Sequence, residues 1–195
     1  MSLRQDILDV SKELLVREGF SKMSMRRIAR NTGVSATSIY LYFKNKDDLL
    51  LTLIEESIEK LKQALISEVK VHKEPVRQLE DLARAYIRYA LNHPQEYEII
   101  YMVRPEEMPR YPKEKFREVR SVYELISEVI QEAARSEQLS VAEPLISAYT
   151  LWAQLHGVVT VILSRRLDIR IPRDRFIDQA IEHIIQGFII QKTPA

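Results

Sequence analysis

The chain of 195 residues has no cysteine, which excludes thiol catalysis, thiolate metal sites and disulfide stapling, and agrees with a reducing compartment. Glycine is almost as scarce. Gly19, Gly33, Gly157 and Gly187 stand too far apart for a phosphate-cradling loop or a dinucleotide fingerprint, and repeated sheet turns generally use more glycine. The four histidines, His72, His93, His156 and His183, form no metal-ligand spacing, and there is no nucleophile elbow. Every long apolar stretch is interrupted before membrane-spanning length, and MSLRQDILDV opens directly into a charged pattern instead of a leader. These absences predict a largely helical, cytoplasmic, non-enzymatic protein that needs no metal, no cofactor and no membrane.

What is present is helical periodicity. Ile7, Leu8, Leu14 and Leu15 share one face of a helix over Arg4 to Arg17, which Gly19 is expected to close with a left-handed cap. Ser24 is placed to cap a second helix reaching Thr32 and closed by Gly33, and Ser35 to start a third with Ile39 and Phe43 inward. Asn45 and Asp48 have cap spacing at the start of a long helix to Val69. Further helices are predicted over about 76–91, after Pro94, over 113–135, from Pro144 to about Arg166, and from Arg173 to about Ile190. The proline-rich segment 104–112 reads as a loop, and the brief alternation of 167–172 is too short for a strand. The fold class is therefore all-α, with about nine helices.

Net charge is only +1, yet residues 1–50 hold nine Lys or Arg against six Asp or Glu. The second and third helices are joined tightly around Gly33, so the third is presented as a ridge. With Ile39 and Phe43 inward, helical spacing turns Thr37, Ser38, Leu41 and the Tyr40 ring outward. Hydroxyls and aromatics on a ridge suit a duplex groove, and Lys44 and Lys46 flank it. Lys46 falls in the first turn of the long helix, where unpaired backbone N–H groups already favour an anion.

Gly19-Phe20 and MSMRRIARNTGVSATSIYLYFKNKDDLL, residues 23–50, resemble the N-terminal domain of the TetR family of bacterial transcriptional regulators. The resemblance implies a DNA-binding domain over 1–46 and an effector-binding and dimerisation domain over 47–195. It places Arg26 and Arg27 near phosphates, Ser35, Ala36, Thr37 and Ser38 at the start of the recognition helix, Tyr40 and Lys46 on the DNA backbone, and Tyr42 on backbone or base. Ala36 stands where family members often carry a longer or more polar residue, which reduces the direct hydrogen bonds available to bases.

LWAQLHG, residues 151–157, resembles a signature of the family's penultimate helix, which implies a dimer-forming element. The resemblance also implies an effector cavity, for which the sequence offers Tyr86, Tyr89, Tyr97, Tyr101, Met102, Phe116, Tyr123, Trp152 and His156, suited to a small hydrophobic or aromatic effector. Leu155, Val158, Val159, Ile162, Ile177, Ile181, Ile184, Ile185 and Phe188 form the apolar set that a homodimer would bury between two copies. The expected function is a ligand-responsive repressor bound as a homodimer to a palindromic stretch of double-stranded operator DNA. The competing reading is a helical adaptor, or a DNA-binding protein with no effector.

Overall fold

The computed structural model describes residues 2–69, 74–101, 116–136, 141 and 143–189, with side chains throughout except at 69 and 116–119. Among these residues the chain forms nine α-helices: α1 (Leu3–Glu18), α2 (Met25–Thr32), α3 (Ala36–Tyr40), α4 (Lys46–Val69), α5 (Pro75–Asn92), α6 (Pro94–Tyr101), α7 (Phe116–Arg135), α8 (Pro144–Leu163) and α9 (Arg173–Gln186). No strand occurs among them, so the all-α class read from the sequence holds.

Local chemistry sets the helix ends. The hydroxyls of Ser2, Ser24 and Ser35 accept from the backbone N–H groups of Gln5, Arg27 and Ser38, giving α1, α2 and α3 a partner for one otherwise orphaned donor each. Asn45 Oδ1 accepts from Asp48 N at 2.8 Å, and the Asp48 carboxylate accepts from Lys44 N at 3.0 Å, which closes the entrance of α4. Gly33 takes φ 75° and ψ 26°, the left-handed conformation that a glycine allows without a Cβ clash. Gly19 also has positive φ, 81°, but its ψ of 164° departs from the expected left-handed cap. The chain leaves α1 extended and enters a 3-10 turn over Phe20–Lys22 instead. α8 ends at Leu163, three residues before the expected Arg166, because Ser164 Oγ donates back to Thr160 O and Arg165 turns left-handed at φ 56°.

The chain divides into two compact units, Met1–Lys60 with His93–Val119 and Leu61–Asn92 with Arg120–Ala195. In the first, Ile7, Leu8, Ile28, Ile39, Phe43, Leu49, Leu50 and Ile99 are almost completely buried. Here α1 packs on α2 and also on α6. In the second, α5 packs on α8 and α9, burying Leu79, Leu82, Tyr86 and Ile87 with Leu151, Leu155, Val159, Ile181 and Ile185. The residues of α4 are shared, Lys46 to Lys60 in the first unit and Leu61 onward in the second.

A largely buried ion pair joins distant parts of the first unit. Lys12 Nζ of α1 lies 3.0 Å from Glu96 Oε1 of α6, with side-chain exposures of 21 % and 12 %. Burial alone pushes the Glu96 carboxyl up, but hydrogen bonding and charge from Lys12, a backbone donor and the charge of Lys60 outweigh it and hold the group below its ordinary value. A carboxyl held lower when folded contributes stability at neutral pH that disappears as pH falls through its folded pKa. Glu96→Gln is therefore expected to cost about 1.5–3 kcal/mol near pH 7, the range for a hydrogen bond to a charged group. Urea melts taken at successively lower pH should show the gap closing as pH falls through the lowered folded pKa of Glu96, where the wild-type side chain also becomes neutral.

Candidate nucleic-acid interface

Burial fixes the rotation of α3. Ile39 and Phe43 are 0 % and 2 % exposed, whereas Tyr40, Leu41 and Tyr42 between them are 54 %, 81 % and 44 % exposed. Ser35 and Thr37 are also exposed, and Ala36 and Ser38 are half-buried. The hydroxyls do not have equal freedom. Ser35 Oγ and Ser38 Oγ bond to each other at 2.8 Å, and Ser35 also caps the helix, while no hydrogen bond among the described residues engages the Thr37 hydroxyl. Of the two aliphatic hydroxyls expected to turn outward, Thr37 and Ser38, only that of Thr37 is uncommitted, because a paired hydroxyl must give up a bond before it makes another.

Beside the ridge lies an open cleft of about 390 Å³ lined by Met23, Ser24, Met25, Arg26, Tyr40, Asn45 and Lys46. Arg26 at the start of α2, the exposed Tyr40 of α3 and Lys46 at the start of α4 thus come together although the sequence separates them widely. Two helix N-termini, a guanidinium, an ammonium and a phenol around one opening suit a phosphate. The Lys46 ammonium is held on its inner side: Nζ donates to Phe20 O at 3.0 Å and sits 3.8 Å from the centre of the Phe20 ring. An ammonium has three donors, so the anchored group retains N–H capacity for an anion.

Arg27 is committed elsewhere. Its two terminal nitrogens meet the Glu18 carboxylate at 2.6 and 2.7 Å, a two-point pair that pins the start of α2 to the end of α1. Its charge is already paired within the chain. Partial burial pushes the Glu18 carboxyl up, but Arg17 and Arg27 outweigh it and hold the group below its ordinary value. Within residues 1–46, the exposed cations that make no ion pair among the described residues are Lys22, Arg26, Arg30 and Lys44. Arg30 and Lys22 were not singled out as DNA-contacting from the sequence, although Arg26 and Arg30 share a helix face by their four-residue spacing.

In the second unit four of the expected effector residues do come together. Tyr86 is fully buried and its hydroxyl accepts from Trp152 Nε1 at 3.1 Å; Tyr123 meets Trp152 edge to face at 5.4 Å, and His156 lies 5.1 Å from Trp152 between ring centres. Burial holds the His156 imidazole below its ordinary pKa, which favours the neutral ring. Tyr149, which the sequence reading passed over, stacks on Tyr123 at 4.2 Å. Tyr89 is buried on α5, while Tyr97 and Tyr101 belong to the first unit, where their rings are 5.0 Å apart. Met102, the Phe116 side chain and the proline-rich segment 104–112 lie outside the described residues.

The apolar set expected between two copies is largely consumed within one. Leu155, Val158, Val159, Ile181, Ile184 and Ile185 are buried in the chain's own core, and Ile162, Ile177 and Phe188 are half-buried. α8 nevertheless has a second apolar face: Ile146, Tyr149, Ala153 and Gly157 recur at helical spacing and are exposed. This helix is long and apolar enough to cross a membrane by length and composition, with mean hydropathy 1.4 over a window of which 28 % is buried.

The division between free and committed cations is testable. Arg26→Ala and Lys44→Ala should each lower the salt dependence of duplex binding by about 0.9 in the log–log slope and leave thermal stability unchanged. Arg27→Ala should instead lower stability by about 1–2 kcal/mol with little change in slope, since its charge is already paired. Fluorescence anisotropy at several salt concentrations, with thermal melts of the same variants, separates the two behaviours.

The description "Bacterial regulatory proteins, tetR family" matches residues 7–53, and "Tetracyclin repressor-like, C-terminal domain" matches residues 79–187, more than half of the chain. A curated relative, the fatty acid metabolism regulator protein of Bacillus subtilis (strain 168), is 33 % identical over 64 residues, which cover 33 % of each chain. The chain spans a quarter to a third of the length of the curated relatives it matches. Among solved structures, a protein with unknown function from Rhodococcus sp. RHA1 superposes with TM-score 0.83 at 24 % identity, over 97 % of both chains. AibR, solved in complex with isovaleryl coenzyme A and operator DNA, superposes with TM-score 0.74 at 18 % identity, over 93 % of this chain and 97 % of that one. A reader helix beside a basic cleft, and helical domains matched on both sides of α4, make this chain a member of the TetR family of transcriptional regulators.

Proposed function

We propose that the chain is a repressor that binds a palindromic operator as a cytoplasmic homodimer and is released by an effector whose recognised part is apolar, an acyl group carried as a coenzyme A thioester. Residues 1–46 are the reading head, and residues 47–195 bind the effector and the second copy. The observation that carries the DNA-binding part is the cleft of Arg26, Tyr40 and Lys46 directly beside the exposed ridge of α3. One set of groups suits the phosphate backbone while the other reaches the groove. The coenzyme A thioester is suggested by what AibR binds in its solved complex, together with the fatty acid regulator among the curated relatives. The cluster of Tyr86, Tyr123, Trp152 and His156 brings aromatic faces together with a few polar atoms, the side-chain chemistry that suits an acyl group.

The homodimer uses the outer face of α8 in place of the buried set. Nothing lies within 4 Å of where a Gly157 Cβ would stand, so a partner helix has close access there, and Phe176 and Ala180 of α9 are half-exposed. Two heads related by a twofold axis read two related half-sites. Release works through α4, about 36 Å long at the standard helical rise, which begins at the reader and continues into the second unit's residues. A ligand that favours a tilted α4 by about 1–3 kcal/mol weakens operator binding about 5–150-fold, and DNA weakens the ligand reciprocally.

Duplex fragments selected from the source genome by the purified chain test the reading directly. Selective binding to inverted repeats, lost on adding isovaleryl coenzyme A or a longer acyl thioester but not free coenzyme A, is the expected result. Binding unaffected by any acyl thioester would leave a constitutive DNA-binding protein or another effector class, and absence of selective binding would favour an adaptor. Ile146→Asp should yield a monomer in sedimentation with helicity unchanged and operator affinity reduced at least tenfold. A persistent Ile146→Asp dimer would remove α8's outer face from the interface.

A further inference from the structure

The third helix and its exit, Ser35 to Phe43, contain no Arg, Lys, Asn, Gln, Asp or Glu. Side chains able to read guanine or adenine by two parallel hydrogen bonds are therefore missing from the ridge itself. Two of its three aliphatic hydroxyls, those of Ser35 and Ser38, are bonded to each other. What the ridge does present is hydrocarbon. Leu41 is the most exposed member of a run of three consecutive exposed apolar residues, Tyr40, Leu41 and Tyr42, a pattern that costs solubility unless a partner covers it. Thr37 is exposed four residues earlier, on the same side as Leu41, so the Thr37 methyl and the Leu41 isobutyl group form one short strip.

A major groove offers such a strip one natural apolar counterpart, the 5-methyl group of thymine. The neighbouring cleft of Arg26, Tyr40 and Lys46 fixes the backbone register and carries no sequence information. We propose that Leu41, flanked by Thr37, is a specificity-determining residue that reads thymine through its 5-methyl group, so that each half-site holds thymine at the base pair facing Leu41. This rests on the operator-binding function proposed above and adds to it the chemistry by which the head selects sequence. A reader of this kind discriminates modestly at each position, because a methyl group removed from water changes affinity only about fourfold. Selectivity then accumulates over both half-sites of a dimer.

The test uses the full-length protein and a duplex selected from genomic fragments. Each thymine is replaced in turn by deoxyuridine, which deletes the methyl and leaves base pairing and every hydrogen-bonding group intact. Wild-type protein is expected to lose about fourfold in affinity at one or two positions per half-site and nothing elsewhere. Leu41→Ala, at a surface position where folding is undisturbed, should bind the thymine duplex several-fold more weakly and be indifferent to deoxyuridine at the same position. Where that base pair is changed to one with cytosine, 5-methylcytosine should bind wild type better than cytosine and bind Leu41→Ala no better. Selective duplex binding with a flat deoxyuridine scan overturns the role of Leu41 while leaving the operator function standing. A methyl penalty that persists undiminished in Leu41→Ala assigns the reading to a tyrosine ring and overturns it equally. If no duplex is bound selectively, the operator function fails and this inference falls with it.

Discussion

Five residues are too few for a helix to persist on its own hydrogen bonds, and α3 exists because its surroundings hold it. Ile39 and Phe43 are the anchors. Set four residues apart and sunk in the core of the first unit, they fix both the position of the helix and its rotation. Outward groups of the head stand beside or between buried ones: Arg26 follows Met25, Tyr40 follows Ile39, and Leu41 and Tyr42 lie between the two anchors. The exposed chemistry is thus aimed by apolar burial, and a cavity under Ile39 would misdirect the reader before it unfolded the domain.

Charge in the same unit is sorted by a second rule. Carboxylates are spent on cations that hold elements together: Glu56 on Arg4, Glu96 on Lys12, and Glu18 on Arg17 and Arg27. Within residues 1–46 the cations without carboxylate partners include the exposed Lys22, Arg26, Arg30 and Lys44. A formal net charge of +1 therefore conceals a local positive field, the quantity that governs encounter with a polyanion.

Much of this was legible in the sequence because it is local. Ser24, Gly33, Ser35 and Asn45 act on groups within a few residues, and Ile39 and Phe43 declare their face by spacing alone. The misread features depend on distance. Arg27 looked free because its partner, Glu18, lies across the turn at the end of another helix. Leu155, Val159, Ile181 and Ile185 looked like an intersubunit surface because periodicity identifies an apolar stripe without saying which chain covers it. α8 carries two such faces, one against its own unit and one outward, so a single stripe could not separate them. Tyr97 and Tyr101 resembled the other tyrosines in type, yet they fold into the unit that holds the head.

The outward face of α8 has a consequence for how a cell would experience this protein. Its hydropathy exceeds what one copy can bury, so in the proposed dimer assembly and solubility are linked, and the operator-competent species forms in proportion to the square of the free chain concentration at low abundance. Occupancy of a regulated promoter would then rise more steeply than protein level. A small change in synthesis or turnover, with no effector present, would carry the promoter between open and closed.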